Sequence, residues 1–304
     1  MAGERIAVVT GASSGIGAAS ARQLARAGFH VVVGARRADR LQVLAEEVGA
    51  TTLALDVTDP ASVEAFAAAV RDRHGHADVL VNNAGTGVGL DPVAEGREAD
   101  WQATMDTNVV GLLRVTRTFL PLLRAAPHAH IVNLGSIAGF EVYPGGAGYT
   151  ASKHAVRAIT QTLRLELNGE PIRITEIAPG MVETEFSVIR FRGDTARADD
   201  VYAGVQPLTA DDIADCITWA VTRPPHVDID FMVVRPVAQA AAYKVARDPG
   251  CPSSSPAARR PLRSAPSMRP DQGPAVCSPA KWRGPTGRAR RPGSAGSKAG
   301  VRVE

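Results

Sequence analysis

A chain of 304 residues with 45% hydrophobic content is long enough to bury a sizeable core, and no apolar run in it approaches the roughly 20 residues that a bilayer-spanning helix requires. Its net charge of +3 divides unevenly: residues 251–304 carry 11 Lys and Arg against two acids, which leaves 23 basic and 29 acidic residues in 1–250. The three cysteines, Cys216, Cys251 and Cys277, have neither disulfide nor zinc-like spacing. The pairs His74 with His76 and His128 with His130 fall in expected loops without carboxylate or thiol companions, so no metal site is expected.

The N-terminal "MAGERIAVVTG" leads straight into a strand and a glycine-rich turn rather than a secretory leader, and a cytoplasmic location is expected. At the other end, nine prolines among the last 54 residues, with much Ser, Gly and Ala, cannot bury enough surface to offset the entropy of ordering. The chain therefore reads as one domain over residues 1–247 and a disordered basic tail over 248–304. Apart from Trp282 the tail lacks interleaved aromatics, so neither a nucleic-acid nor a membrane partner is expected.

Short apolar runs alternate with amphipathic stretches along the domain. The runs are "RIAVVT", "HVVVGA", "TTLALD", "DVLVNN", "HIVNLG", "IRITEIAP" and "DFMVVRP". The stretches between them include 14–28, 39–48, 60–73, 99–124, 148–168 and 210–222. Strands apolar on both faces and separated by helices imply parallel βαβ units. The expected fold is α/β: a Rossmann-type, doubly wound parallel sheet of about seven strands with helices on both faces. Ligands of such sheets lie beyond the carboxyl ends of the strands.

The first strand ends in "TGASSGIG", which opens a helix. Glycine permits the tight turn, and the helix N-terminus offers free N–H groups and partial positive charge to a pyrophosphate. Gly11, Ser13, Ser14, Gly15, Ile16 and Gly17 are thus assigned to a dinucleotide. After the second strand stand Arg36 and Arg37, where an acidic residue would favour NAD. A guanidinium there can grip a 2′-phosphate, and a charge-assisted hydrogen bond contributes about 1.5–3 kcal/mol, enough to select NADP. The third strand brings Asp56 and Val57 to an adenine edge, with Asp59 or Thr58 available to cap the next helix. The fourth ends in Asn83, Ala84 and Gly85, small and amide side chains suited to a cofactor channel. The fifth delivers Ser136 to the same edge.

In "GYTASKHAVRAIT", Tyr149 precedes Lys153 by one helical turn. A free tyrosine has a pKa of about 10. A cation about 4 Å away would favour the phenolate by roughly 4 kcal/mol, about three pKa units, and fit the phenol for general acid or base work.

Together these stretches resemble the short-chain dehydrogenase/reductase family. The resemblance spans about residues 4–245 and rests on "TGASSGIG", "NNAG", Asn108 in "MDTNVVG", Ser136, "YTASK" and "PGMVET". It implies that Tyr149 donates and accepts the proton and that Ser136 positions the substrate oxygen. Lys153 would lower the tyrosine pKa and hold the nicotinamide ribose, and Asn108 would support a water-linked proton path. Pro179, Gly180, Val182 and Thr184 would shape the nicotinamide side. Small alcohols and carbonyls are the implied substrates, and a homodimer or homotetramer the implied assembly.

Within the family, "GARRADRL", "PGMVETEFSVIRFRGD", "LTADDIADCITWAV" and "FMVVRPVAQ" are similar to NADP-dependent 3-hydroxy acid dehydrogenases of the serine type. On that reading Arg190 grips a substrate carboxylate bidentately. Similar wording occurs in aldehyde reductases of antibiotic biosynthesis, the clavulanate type. A catalytically silent NADP-binding regulator is the alternative from another class.

Overall fold

The computed structural model describes residues 4–248. Seven strands form one parallel sheet: β1 (Ile6–Thr10), β2 (His30–Ala35), β3 (Thr51–Ala54), β4 (Val79–Asn82), β5 (Ala129–Leu134), β6 (Ile172–Pro179) and β7 (Phe231–Val234). Their order is β3-β2-β1-β4-β5-β6-β7, so the winding reverses between β1 and β4. The helices expected from the amphipathic stretches are α1 (Gly15–Arg26), α2 (Ala38–Val48), α3 (Pro60–His74), α4 (Glu98–Met105), α5 (Leu112–Ala125), α6 (Ala147–Glu166) and α9 (Ala210–Val221). Asp59 caps α3 by accepting from the Ala61 N–H.

The two-residue period of each strand divides the core. Ile6 and Val8 of β1 face a layer formed by Phe66 of α3, Phe119 of α5 and Leu163 of α6. Ala7 and Val9 face the other layer, with Leu24 of α1, Leu41 of α2 and Ile217 of α9. A sheet apolar on both sides and covered on both sides is what the continuous apolar runs encode.

Four features were not anticipated. The stretch read as one helix over 99–124 is interrupted by a π-helical turn, Asp106–Gly111, which carries Asn108. Two short helices, α7 (Phe186–Arg190) and α8 (Thr195–Asp200), follow β6, and a small hairpin, β8 (Gln239–Ala241) with β9 (Lys244–Val245), follows β7. His130 is not in a solvated loop: it lies within β5 and is fully buried, its Nε2 2.7 Å from Thr175 Oγ1. Its own N–H donates to the Asp78 carbonyl across the sheet, and this backbone register carries the ring inward.

No helix among the described residues is long and apolar enough to cross a membrane, and no three His, Cys, Asp or Glu side chains among them converge as a metal site. The tail expected after residue 247, with Cys251, Cys277 and Trp282, lies outside the described residues. Asp248 is held by a backbone hydrogen bond to Gly204.

Burial drives the His130 pKa down to about 3, aided by the nearby Arg173. The unfolded chain protonates this histidine near pH 6.5, so its contribution to stability is complete above that value and is lost as pH falls. Between pH 7 and pH 5 the loss is about 2 kcal/mol from this residue. Urea unfolding at the two pH values should show that decrement in the wild type and a clearly smaller one in His130→Gln. Equal decrements would contradict the assignment.

Candidate active site

The carboxyl ends of β1 and β4 flank the reversal in strand order and are tied by one hydroxyl. Thr10 Oγ1 accepts from the Asn83 and Ala84 N–H groups, each at 3.0 Å. Asn83 Nδ2 in turn donates to the Thr10 and Gly11 carbonyls at 2.9 and 3.2 Å. The "NNAG" segment is thus a strut for the glycine-rich turn as well as part of the cleft wall. Asn82 extends the strut by donating to Thr116 Oγ1 and Asn133 Oδ1, both at 2.9 Å. Gly11 has φ +66°, and a Cβ there would lie 2.8 Å from Ala84 Cα, a clash with backbone.

At the start of α1 the N-cap Ser14 makes no side-chain cap, so the first-turn N–H groups have no side chain bonded to them from that residue. They face a cleft of about 960 Å³ that is also lined by Ser13, Gly15, Ile16, Arg36, Arg37, Asp56, Val57 and Gly85. Such a donor-rich helix end fits the phosphates of a dinucleotide. Gly17 does not line the cleft: a Cβ there would lie 2.4 Å from Asn83 Nδ2, so this glycine permits the helix to pack on the strut.

The two arginines after β2 behave differently. Arg37 donates to Ser13 Oγ at 3.1 Å, Ser14 Oγ at 2.7 Å and Glu185 Oε2 at 2.9 Å. Arg40 joins it on Glu185 Oε1 at 2.6 Å. Arg36 is exposed at the cleft edge; burial raises the Asp56 pKa, but the Thr58 bonds, with the charges of Arg36 and Arg114, hold it below its ordinary range. Asp56 also accepts from the Thr58 N–H and hydroxyl.

The fifth and sixth strands and α6 bring the proposed catalytic side chains together. Ser136 starts a short 3₁₀ turn, its Oγ accepting from the Ala138 N–H at 3.1 Å. Its hydroxyl donates to the Pro179 carbonyl at 3.5 Å and favours the ionised form of the Tyr149 phenol. Tyr149 is half-buried and lines the cleft. Lys153 is buried and donates from Nζ to the Leu134 carbonyl at 2.7 Å, with its ammonium 5.9 Å from the centre of the Tyr149 ring.

Asn108, from the π-helical turn, clamps Thr86 from both sides, accepting from its N–H and donating to its carbonyl, each at 2.7 Å. Its Nδ2 also donates to Ser152 Oγ at 3.0 Å. Local π-helical geometry of this kind is frequent at functional sites.

The electrostatics depart from the simple Tyr–Lys pair. Burial raises the Tyr149 pKa, and the groups that counter it are Arg190 and the Ser136 hydroxyl. The Lys153 ammonium, bonded to the Leu134 carbonyl, lies 5.9 Å from the centre of the Tyr149 ring. Burial also pulls the Lys153 pKa down to about 8, opposed by Glu176.

The segment after β6 covers the cleft. Val182 pairs with Leu208, and its carbonyl accepts from the Tyr202 hydroxyl at 3.0 Å. Gln239 Oε1 accepts from the Met181 N–H at 2.8 Å beside Gly180, and Pro179, Gly180 and Thr184 line the cleft. Arg190 donates to the Tyr143 hydroxyl at 2.8 Å, and its guanidinium lies 4.8 Å from the Tyr149 ring centre and 5.1 Å from that of Phe186. Arg192 holds a left-handed backbone, φ 53°, and pairs with Asp100 of α4.

Sequence reasoning missed Tyr143, Glu185, Phe186, Tyr202 and Gln239. The one available signal was Tyr143 in the glycine-rich run six residues before Tyr149.

A parallel sheet with a phosphate-fitting turn and a Ser–Tyr–Lys group at one edge defines an oxidoreductase-type nucleotide fold. A family model described as short chain dehydrogenase matches residues 5–193. An uncharacterized oxidoreductase of Mycobacterium tuberculosis is 56% identical over 246 residues, covering 81% of this chain and 96% of that protein. Serine 3-dehydrogenase of Agrobacterium fabrum is 41% identical over 244 residues, covering 79% and 98%. Among solved structures, the closed form of serine dehydrogenase complexed with NADP+ matches with a TM-score of 0.76 at 38% identity, covering 80% of this chain and 100% of that one. The chain belongs to the short-chain dehydrogenase family.

The glycine turn yields a direct comparison. Gly49 is also left-handed, φ +71°, but a Cβ there meets nothing within 4 Å. Gly49→Ala should cost only the conformational penalty, about 1–2 kcal/mol. Gly11→Ala adds the backbone clash and should cost at least about 1 kcal/mol more in urea unfolding. Equal costs would contradict the strut.

Proposed function

We propose that this protein is an NADP-dependent oxidoreductase that interconverts a small alcohol and its carbonyl, with an anionic substrate group such as the carboxylate of a 3-hydroxy acid. One observation carries the reading: Ser136 and Tyr149 line the same cleft, with the Arg190 guanidinium 4.8 Å from the Tyr149 ring. Two hydroxyls can hold one substrate oxygen and exchange its proton, while a fixed cation selects the substituent beside it. Support for NADP comes from Arg36 and Arg37 beside the glycine turn and from the NADP+ complex of the related serine dehydrogenase.

When bound, the nicotinamide supplies or accepts the hydride. The residues of the chain handle the proton. Because burial favours the protonated phenol, Tyr149 holds its hydrogen near neutrality and acts as the acid toward a carbonyl oxygen. Ser136 orients that oxygen through its own hydroxyl. Lys153, below its pKa of about 8, contributes positive charge from one turn further along α6. Asn108 keeps the Thr86 backbone fixed beside it. The covering segment excludes water and adds Arg190, which approaches a carboxylate with a planar, multi-donor fork.

The serine dehydrogenase relatives favour the 3-hydroxy acid reading over a neutral aldehyde reductase or a silent regulator. Exposed Trp219 on α9 and Val233 on β7 support self-association into the homodimer or homotetramer implied by the family, and a cytoplasmic location belongs to the same proposal.

A panel of 3-hydroxy acids, their 3-oxo forms and neutral aldehydes, assayed with NADP(H) and NAD(H), tests the proposal. Arg190→Met should raise KM for the acids by about 10- to 100-fold, the value of one charge-assisted bond, and leave neutral aldehydes within about threefold. A uniform effect on both groups would remove the carboxylate role, and preference for NAD(H) would remove the phosphate role of the arginines.

A further inference from the structure

Beneath the catalytic group lies a carboxylate that the mechanism above does not use. Glu176 of β6 is 2% exposed and does not line the cleft. Its Oε1 has no hydrogen-bond partner among the described residues. The carboxylate packs directly under the residue before Ser136: a Cβ added to Gly135 would lie 2.3 Å from Oε1. Gly139, at the end of the Ser136 turn, would place a Cβ 3.8 Å from the same oxygen and 2.9 Å from the backbone carbonyl oxygen of Lys153. The carboxylate is therefore wedged between the Ser136 turn and the part of α6 that carries Lys153.

A buried carboxylate poorly supplied with hydrogen bonds is retained only if charge balances it. Burial pushes the Glu176 pKa up, and three cations, all on α6, oppose that rise: Arg157, Lys153 and Arg164. Arg157 Nη1 stands 4.0 Å from Oε2, and its guanidinium is stacked 3.9 Å over the Phe231 ring, which fixes its position. Asp230, just before β7, is the opposing negative charge on this group. The Lys153 ammonium is bonded to the carbonyl of Leu134, the neighbour of the Gly135 against which Glu176 packs, and Glu176 opposes the downward pull of burial on it.

We propose that Glu176 is a positioning residue whose charge, applied from beneath the Ser136 turn, keeps Lys153 an ammonium in a site that burial would otherwise neutralise. The effect matters to turnover only through the proposed role of Lys153, but the charge on Lys153 can be measured without any substrate. Loss of the carboxylate lowers the Lys153 pKa further, because an opposite charge at close range is worth about one unit or more. A fall of one unit from about 8 leaves about half of the ammonium at pH 7.

The chain has only four lysines, Lys153, Lys244, Lys281 and Lys298, so the titration is open to direct observation. Full-length protein labelled with 13C at lysine Cε gives four NMR signals, and Lys153→Arg identifies the one that belongs to Lys153. Its midpoint should fall by about one unit in Glu176→Gln, with the fold confirmed by circular dichroism. Glu176→Asp, which keeps the charge, should lie between the two. Glu176→Ala removes the carboxylate without adding bulk under Gly135, and it carries the same expectation if the glutamine variant does not fold. An unchanged midpoint in a folded neutral variant, even with lowered thermal stability, would make Glu176 a structural wedge and overturn the proposal. Absence of turnover on every substrate tested would bear on the proposed function and leave this result standing.

Discussion

The hydrogen bond from the Lys153 ammonium to the Leu134 carbonyl sets the geometry of the site. It fastens α6 to the carboxyl end of β5, two residues before Ser136 starts its turn. With that contact made, the helical repeat places Tyr149 one turn back along α6, where it lines the cleft together with Ser136. Each of the three side chains is thereby aimed by an element whose own position is fixed by the two-sided core of the sheet. A loop-borne arrangement of the same residues would lack this precision.

Burial provides the chemistry and also opposes it. It keeps Tyr149 protonated and pulls Lys153 toward neutrality, so each requires an outside group to hold it near its working state. Arg190, from the covering segment, acts on the phenol, and Glu176, from beneath, acts on the ammonium. The covering segment also reaches the cofactor side, where Glu185 occupies Arg37 and Arg40. The Arg190 guanidinium beside Tyr149 and the Glu185 carboxylate on Arg37 and Arg40 thus belong to one stretch of chain between β6 and α9.

Much of this was legible in the amino-acid order because it depends on local pattern. Two-residue and helical periods gave the seven strands and the main helices, and the glycine spacing gave the α1 turn. Tyr149, Lys153 and Ser136 stood out because strand ends and one helical turn are readable at short range. What was hidden depends on contacts far apart in the chain. Glu185 meets Arg37 across 148 residues and Arg190 meets Tyr143 across 47, separations that no periodicity reports. The π-helical turn at Asn108 leaves the apolar spacing of its helix nearly intact, so it was read as continuous helix. The buried state of His130 and the upward shift of Tyr149 likewise follow from enclosure by distant elements. Spacing alone gave the Tyr149–Lys153 pair, whereas the burial that raises the Tyr149 pKa comes from elements distant in the chain.

The central claim is that the enclosed Tyr149 hydroxyl transfers the proton in carbonyl reduction. Its most direct measurement compares wild type and Tyr149→Phe for NADPH binding, by fluorescence titration, and for single-turnover NADPH oxidation with the best 3-oxo acid or aldehyde of the panel. The expected result is binding within about threefold and a rate lower by 10²-fold or more, the range of a lost general acid. A phenylalanine variant that binds NADPH and reduces the carbonyl at the wild-type rate would contradict the account.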